Sequence, residues 1–269
     1  MRRRRGSHPG IGSFGALTPL RVVTSPPLTL AGWLRHDVVR GILAELDGVR
    51  SVLEIGAGEG AFGVRLADRY EYVGLEPDPR SFAVARRRID TLARGTVLNG
   101  GVELLGPEVD FDLVCAFEVL EHQPDPIDEL CRWRDRMRRD GRLLLSVPAG
   151  VRLRASDLRV GHCRRYTPAR LATELEAAGL ELVRLERFGF PLGYLLEFLR
   201  NVVAVSRPTR ETPADGTRES GRWLQPPGSL GWGTRALTAP FRLAQRNLPT
   251  APVGTSIVAL ARRAPDSAV

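Results

Sequence analysis

Residues 52–60, Val-Leu-Glu-Ile-Gly-Ala-Gly-Glu-Gly, decide the fold because an apolar run passes directly into a glycine-rich turn. The apolar run is typical of a buried strand, and the residues after Gly60 are typical of a helix. Glycine lets the backbone adopt positive φ and approach a ligand closely, and the free amides at the start of a helix attract an anion. The stretch therefore predicts a strand–turn–helix unit that holds a carboxylate or a phosphate.

Further strands and helices alternate around this unit. The predicted strands cover 51–55, 72–76, 97–98, 112–117, 142–147, 180–186 and 256–261, and the predicted helices cover 30–46, 61–69, 80–93, 126–138, 167–179 and 192–205. The sixth helix of this series, 192–205, is markedly apolar. Such alternation implies βαβ units and a mainly parallel sheet, hence an α/β fold.

Composition divides the chain into a core and several appendages. Residues 1–28 mix Arg, Gly, Ser and Pro without apolar periodicity and predict a disordered basic leader. We expect the core domain over 29–187 and an insertion over 188–250, which is either a helical lid or an interfacial element with a flexible part at 207–230. The final core strand falls within 251–263, and 264–269 form a tail.

The bulk properties constrain the function classes. With 269 residues, 43% of them hydrophobic, the chain suits one folded domain with extensions. A net charge of +8 favours nucleic acid or an anionic membrane as partner, but every one of the 39 basic residues is Arg. Because that bias accompanies abundant Ala and Gly, we interpret the charge as compositional and expect no nucleic-acid partner.

Cysteine usage and hydropathy indicate the compartment. Cys115, Cys131 and Cys163 follow no CxxC or zinc-type Cys/His spacing, which predicts reduced thiols in a cytoplasmic protein. The sequence contains no stretch of about 18 uncharged apolar residues, so it predicts no transmembrane helix. Peripheral contact with the inner membrane face, through 188–250, stays open, as does the oligomeric state.

An acidic residue follows the glycine turn at the spacing that adenosine cofactors require. Glu76 ends the second predicted strand about 20 residues after Gly56, where its two oxygens suit ribose hydroxyls. The same spacing also satisfies the dinucleotide fingerprint G-x-G-x-x-G/A, so the turn alone leaves both cofactor classes open. Glu54 favours an adenosine cofactor that is not a dinucleotide. A carboxylate beside the turn suits an α-ammonium group, and a dinucleotide has no such group there.

Four segments together resemble a known family. They are residues 52–60, Val73-Gly74-Leu75-Glu76-Pro77-Asp78, Phe117-Glu118-Val119-Leu120-Glu121-His122 and residues 141–148. They resemble the class I S-adenosylmethionine (SAM)-dependent methyltransferases, and more narrowly the branch with ubiquinone-biosynthesis O-methyltransferases and natural-product or saccharide methyltransferases. The resemblance covers about residues 30–187 and implies a Rossmann-like three-layer sandwich with a mostly parallel seven-stranded sheet, the last strand antiparallel, and a C-terminal helical or irregular insertion.

The resemblance also implies a set of cofactor contacts. The glycine turn would face the methionine end of SAM, Glu54 its amino group and Glu76 the ribose, and Asn99 would stand where an acidic residue often meets the adenine. The full set of implied cofactor residues is Glu54, Gly56, Ala57, Gly58, Gly60, Glu76, Pro77, Asp78, Asn99, Phe117, Glu118 and Val119.

Methyl transfer is an in-line displacement, so the protein's tasks are alignment and removal of the acceptor's proton. His122 and His162 are the candidate bases, although His122 also suits a helix cap or cofactor packing. Arg164, Arg165 and Tyr166 predict a pocket for an acidic or phosphorylated acceptor, and surface salt bridges are the alternative interpretation. The carboxylates show no ligand spacing, so we expect no metal.

Several functions fit these patterns. A small-molecule methyltransferase is favoured, acting on oxygen of a saccharide, a lipid-linked intermediate, a quinone precursor or a secondary metabolite. An RNA methyltransferase is favoured only by charge, and an NAD-linked oxidoreductase would need a second nucleotide-binding half. A SAM-binding regulator without catalysis also fits. The acceptor and the atom methylated do not follow from the sequence.

Overall fold

The computed structural model describes residues 25–92, 94–206, 231–247 and 253–265. Its strands are β1 (Ser51–Ile55), β2 (Glu71–Leu75), β3 (Gly95–Leu98), β4 (Phe111–Phe117), β5 (Met137–Pro148), β6 (Leu180–Phe188) and β7 (Ser256–Arg263). Its helices are α1 (Leu30–Ala44), α2 (Gly63–Ala67), α3 (Pro79–Ile89), α4 (Pro126–Arg134), α5 (Ala155–Arg159), α6 (Pro168–Ala177), α7 (Leu192–Ser206) and α8 (Gly231–Asn247).

The seven strands form one sheet in the order β3-β2-β1-β4-β5-β7-β6. The pairs among the first five strands are parallel, and β7 runs antiparallel to both β5 and β6. The predicted mostly parallel sheet with an antiparallel last strand is therefore confirmed. The strand order reverses between β1 and β4, and such a switch point opens a crevice at the carboxyl ends of the strands.

Local capping sets where several helices begin. Asp78 and Asp125 each accept hydrogen bonds from the first-turn amides of α3 and α4, and each precedes a proline at the first helical position. Thr167 does the same for α6, and Gly179, with φ of 71°, follows the end of that helix. The predicted bounds of this helix are thus confirmed to within two residues.

Two predicted helices are shorter in the structure. The helix predicted over 126–138 ends at Arg134, because the Arg136 carbonyl accepts a hydrogen bond from the Phe111 amide and Met137 pairs with Phe111 in the sheet. Pairing in the sheet satisfies these backbone groups outside the helix. The helix predicted over 61–69 is limited to α2, whose preceding residues still belong to the glycine turn.

Some sequence predictions lie outside the described residues. These are the leader over 1–24, the flexible part at 207–230, the end of the tail at 266–269 and the last residue, Ala93, of one predicted helix. Within the described part, ordered contacts begin before the predicted core boundary. Leu28 is buried, and the Pro26 carbonyl accepts a hydrogen bond from Arg65.

Helix α8, whose bounds the sequence did not predict, packs on α1. Arg242 of α8 forms a bidentate ion pair with the buried Asp37 of α1, with both N–O distances at 2.7 Å. Gln245 donates to the Leu34 carbonyl, and the Trp33 indole N–H donates to Thr234. The described end of the insertion therefore holds α1 in place beside the crevice.

Hydrophobic packing closes both faces of the sheet, since one buried cluster centres on Trp133 and the other on Ile42. Among the described helices, none combines the length and the apolar character that a bilayer span requires.

Candidate functional site

A cavity of about 480 Å³ opens at the carboxyl ends of β1, β2 and β4, at the switch point of the sheet. The glycine turn and the segments after β2 and β4 supply part of its lining. Helices α1 and α7 supply a further part, through residues such as Arg35 and Leu196. This is the place where open α/β sheets bind their ligands.

The glycines of the turn are required by both conformation and space. Gly56, Gly58 and Gly60 have φ of 70°, 55° and 73°, values that L side chains rarely adopt. A Cβ on Gly56 would lie 2.6 Å from Cγ2 of Val119, whereas a Cβ on Gly58 would meet nothing within 4 Å. The turn thus passes tightly against the segment after β4 and leaves open space beside Gly58.

Four amides of this turn already have hydrogen-bond partners within the chain. Those of Gly56 and Ala57 donate to the Leu75 carbonyl, that of Gly58 donates to Glu76, and that of Gly60 donates to the Ala57 carbonyl. The turn therefore shapes the cavity mainly by close backbone approach. These four amides are therefore not available to an anionic ligand group.

Glu76 lies directly after β2 and is fixed by two backbone donors. Its Oε2 accepts from the Gly58 amide at 2.7 Å, and its Oε1 accepts from the Asp78 amide at 2.8 Å. Burial raises the pKa of this carboxyl, and the two amide bonds oppose that shift. Since each oxygen retains a second lone pair, the carboxylate can still accept hydrogen bonds from ligand hydroxyls.

Glu54 is a buried carboxyl at the end of β1. Its Oε2 accepts a hydrogen bond from the Tyr72 hydroxyl at 2.6 Å, and the side chain lines the cavity. Burial raises the pKa of Glu54 to about 7, against the Tyr72 hydrogen bond and the attraction of Arg35. A cation arriving beside this carboxyl would favour its ionised form.

Asn99 is placed differently from the expectation. Its side-chain amide donates to the backbone carbonyls of Glu76 and Pro77, at 2.8 and 3.2 Å, and the residue is not among those that line the cavity. Its role in the described structure is to hold the segment after β2. Pro77 and Asp78 themselves line the cavity.

The segment after β4 also lines the cavity, through Phe117, Glu118 and Val119. Glu118 adopts φ of 58°, which is rare outside glycine, and its Oε1 accepts from the Ser146 hydroxyl at 2.9 Å. Phe117 packs against Phe62 with ring centroids 4.7 Å apart. These contacts hold the segment after β4 in place beside the glycine turn.

Arg35 of α1 is a lining residue that the sequence patterns did not indicate. Its guanidinium lies 3.5 Å from Glu118 and 5.7 Å from the centre of the Phe117 ring. Its Nε is buried and has no hydrogen-bond partner within the described residues. Because α1 is remote from the glycine turn in sequence, only the packing of α1 against the sheet reveals this donor.

His122 and His162, the two predicted bases, both line the cavity with perpendicular rings whose centroids are 4.7 Å apart. Nδ1 of His122 lies 3.2 Å from the Gly161 carbonyl, and Nδ1 of His162 lies 3.1 Å from Asp157 Oδ1. Burial and the neighbouring His162 lower the pKa of His122 to about 4, so this imidazole is neutral at pH 7.

The predicted acceptor cluster is not brought together in the cavity. Tyr166 is wholly buried in the core, and Arg164 donates to the Pro124 carbonyl, so neither residue lines the cavity. Arg165 does line it, but its guanidinium is held by Asp157 at 2.6 and 2.8 Å and also contacts Glu197. The structure therefore does not support an anion clamp made by these three residues.

Helix α7 carries two different faces. Leu196, Glu197 and Arg200 line the cavity. Leu195 and Phe198 point away from the core and are 55% and 63% exposed. Of the predicted insertion, α7 thus borders the cavity, whereas no described residue of α8 does.

Carboxylates outnumber guanidinium groups in the lining. The acidic lining residues are Glu54, Glu59, Glu76, Asp78, Glu118, Asp157 and Glu197, and the basic ones are Arg35, Arg165 and Arg200. The cavity is therefore acidic although the whole chain carries a charge of +8. Such a lining favours a cationic or neutral ligand over a polyanion.

Comparisons with known proteins agree with this architecture. A family model described as "Methyltransferase domain" matches residues 31–185. A probable S-adenosylmethionine-dependent methyltransferase of Mycolicibacterium smegmatis is 33% identical over 153 residues, which are 55% of this chain and 58% of that relative. The chain thus spans little more than half the length of that relative.

Two further comparisons show how broad the similarity is. A tRNA U34 carboxymethyltransferase of Shewanella amazonensis is 37% identical over 103 residues, which are 36% of this chain and 31% of that relative. The crystal structure of a putative methyltransferase from Bacillus halodurans has a TM-score of 0.54 at 17% identity, covering 86% of this chain and 100% of that chain. The latter likeness shows the fold alone.

The contact between Gly56 and Val119 predicts a specific cost of substitution. Gly48, with φ of 76°, is a matched control for the backbone cost alone, because a Cβ there would meet nothing within 4 Å. We expect Gly48→Ala to lower the free energy of unfolding by about 1–2 kcal/mol and Gly56→Ala to lower it further, because the methyl group meets Val119. In the Val119→Ala background the excess should disappear, as measured by urea unfolding; an equal cost at both glycines would contradict the steric explanation.

Proposed function

The chain belongs to the methyltransferase-domain family of class I SAM-dependent methyltransferases, and we propose that it methylates a small-molecule acceptor bound beside SAM in the cavity. The observation that carries the proposal is the placement of Glu54, the glycine turn and Glu76 around one cavity at the switch point. A carboxyl for an ammonium group and a carboxyl for ribose hydroxyls are the acceptor groups that this cofactor requires.

The described residues fit the methionine end of SAM. Glu54 would receive the α-ammonium group, because its buried carboxyl gains a compensating charge there. Arg35 would bind the α-carboxylate, because its buried Nε lacks a partner within the described residues and four of the turn amides are already used. The open space beside Gly58 would admit the ligand between the two groups.

The nucleoside end would lie against the segment after β2. Glu76 would accept hydrogen bonds from the ribose hydroxyls, since its two backbone donors hold it toward the cavity. Pro77, Asp78 and Ser81 line the adjoining wall and would flank the nucleoside. Asn99 would act indirectly, by holding the Glu76 and Pro77 carbonyls.

SAM supplies an electrophilic methyl group whose transfer needs no acid catalyst. The protein's part is to align the acceptor nucleophile with that methyl group, and such positioning can lower a barrier by about 7–11 kcal/mol. Phe117, Glu118 and Val119 would fix the cofactor side of the reaction space. His122 and His162 border the same space and are the candidate bases that would remove the acceptor's proton.

The acceptor would bind between the segment after β4 and helix α7. This part of the lining combines apolar groups such as Leu196 with the acidic Glu197. We infer an uncharged or weakly polar acceptor with a hydroxyl, such as a saccharide, a lipid-linked intermediate, a quinone precursor or a secondary metabolite. The exposed apolar side of α7 supports, in addition, peripheral contact with a membrane that carries such an acceptor.

RNA is the second candidate acceptor, because one relative is named a tRNA carboxymethyltransferase and the chain is basic. The acidic lining opposes it, since a phosphate backbone would meet carboxylates at the cavity. The fate of a labelled methyl group separates the two acceptor classes.

Replacing Arg35 should weaken SAM binding without unfolding the chain. A charge-assisted hydrogen bond contributes about 1.5–3 kcal/mol, so Arg35→Met should raise the Kd for SAM and S-adenosylhomocysteine by roughly 10–100-fold. Arg40→Met is the matched control on the exposed side of α1 and should leave the Kd unchanged. Isothermal titration measures both, with NAD as a competing ligand class.

Glu76→Ala should abolish binding in the same titration, while Glu71→Ala, on the exposed start of β2, should not change it. Binding of NAD without SAM, or full SAM affinity in Glu76→Ala, would overturn the assignment of the cavity.

Methyl transfer should reach small molecules and not RNA. We expect label from methyl-labelled SAM to enter the solvent-extractable small-molecule fraction of a cell extract and to survive ribonuclease treatment. Glu76→Ala is the inactive control. Label that enters RNA and is lost on ribonuclease treatment would establish the second candidate instead.

A further inference from the structure

Glu121 is the most deeply buried carboxyl beside the cavity. It lies in the short turn of Leu120–His122 after β4, is 0% exposed, and neither of its oxygens has a hydrogen-bond partner within the described residues. An isolated carboxylate is costly in such surroundings. A cation bound next to this carboxylate would offset that cost.

The histidines beside Glu121 are both oriented by a second contact. The Gly161 carbonyl can only accept, so Nδ1 of His122 carries the hydrogen and Nε2 keeps its lone pair. Arg165 donates two hydrogen bonds to Asp157, whose Oδ1 orients His162 in the same way, through Nδ1. Histidines that bind metals usually donate their other ring N–H to a carbonyl or a carboxylate in this manner.

The backbone brings these groups together. The Cys163 amide donates to the Glu121 carbonyl at 2.8 Å, so the loop that carries His162 is fixed over the turn that carries Glu121. Nε2 of His162 lies 3.8 Å from Oε1 of Glu121. One ligand atom from each of Glu121, His122 and His162 lies within 4.8 Å of the others, so the three side chains are close enough to share one ion.

We propose that Glu121, His122 and His162 bind one divalent transition-metal ion at the edge of the cavity. Two imidazoles and one carboxylate suit Zn²⁺, Fe²⁺, Co²⁺ or Mn²⁺ and leave coordination positions open. Both histidines line the cavity, so those positions face the space where the acceptor would bind. The proposal departs from the sequence-based expectation that no metal is bound.

The role of the ion rests on the proposed function, whereas its binding does not. A hydroxyl coordinated to such an ion loses its proton more readily, so His122 and His162 would act as ligands instead of general bases. The ion would also neutralise Glu121.

Metal titration of the full-length chain tests the site directly. After treatment with a chelator, the protein should bind one Zn²⁺ or Co²⁺ by isothermal titration, and bound Co²⁺ should give the visible absorption of a nitrogen–oxygen ligand set. Glu121→Gln keeps the side chain's shape and should lose this binding, and His122→Ala should lose it as well. Asp157→Asn should weaken it by about 10–100-fold, because His162 loses its orienting contact.

Cys163→Ser is the matched control, since this exposed thiol is adjacent to His162 and should not contribute to binding. Circular dichroism of each variant shows whether the fold is intact. Failure of the wild type to bind a stoichiometric ion, or unchanged binding in Glu121→Gln, would overturn the metal site. Titration with S-adenosylhomocysteine, run alongside, shows separately whether the cofactor cavity holds.

Discussion

The contact between Gly56 and Val119 is the constraint on which the site depends. The turn after β1 and the segment after β4 leave neighbouring parallel strands, and they approach so closely that a Cβ on Gly56 would lie 2.6 Å from Val119. Glu54 and Glu118, which stand next to these two segments, are held by the hydroxyls of Tyr72 and Ser146 and both line the cavity. Glu118 adopts a left-handed backbone conformation, with φ of 58°, just before the turn that contains Glu121 and His122.

The acidity of the cavity distinguishes it from the rest of the chain. Buried carboxyls at Glu54, Glu76 and Glu121 require a positive charge, a hydroxyl donor or a proton, and a cationic cofactor supplies the first of these. The net positive charge of the chain thus reflects its overall composition. A few buried acids, in contrast, set the charge that the cavity presents to a ligand. Arg35 is the exception, because it offers a donor where four of the turn amides are already used.

The sequence predicted the strands well because most of them contain a short apolar stretch, such as Leu143–Leu145 in β5, and because turn residues separate them from the helices. The bounds of β1 and α6, the sheet composition and the position of the cavity all followed from such local signals. Sheet pairing overrode helix periodicity after Arg134, which no local pattern indicates. Three features depend on tertiary packing alone: the position of Arg35 at the cavity, the proximity of Glu121 to His162, and the burial of Tyr166 in the core. The sequence could not predict them for that reason.

The central claim is that SAM occupies the cavity formed by β1, β2 and β4, and a crystal structure with S-adenosylhomocysteine tests it most directly. We predict the ribose hydroxyls on Glu76 and the methionine end between Glu54 and Arg35, with the sulfur facing the space beside His122 and His162. A ligand bound elsewhere, or one in this cavity without contact to Glu76, would contradict the claim.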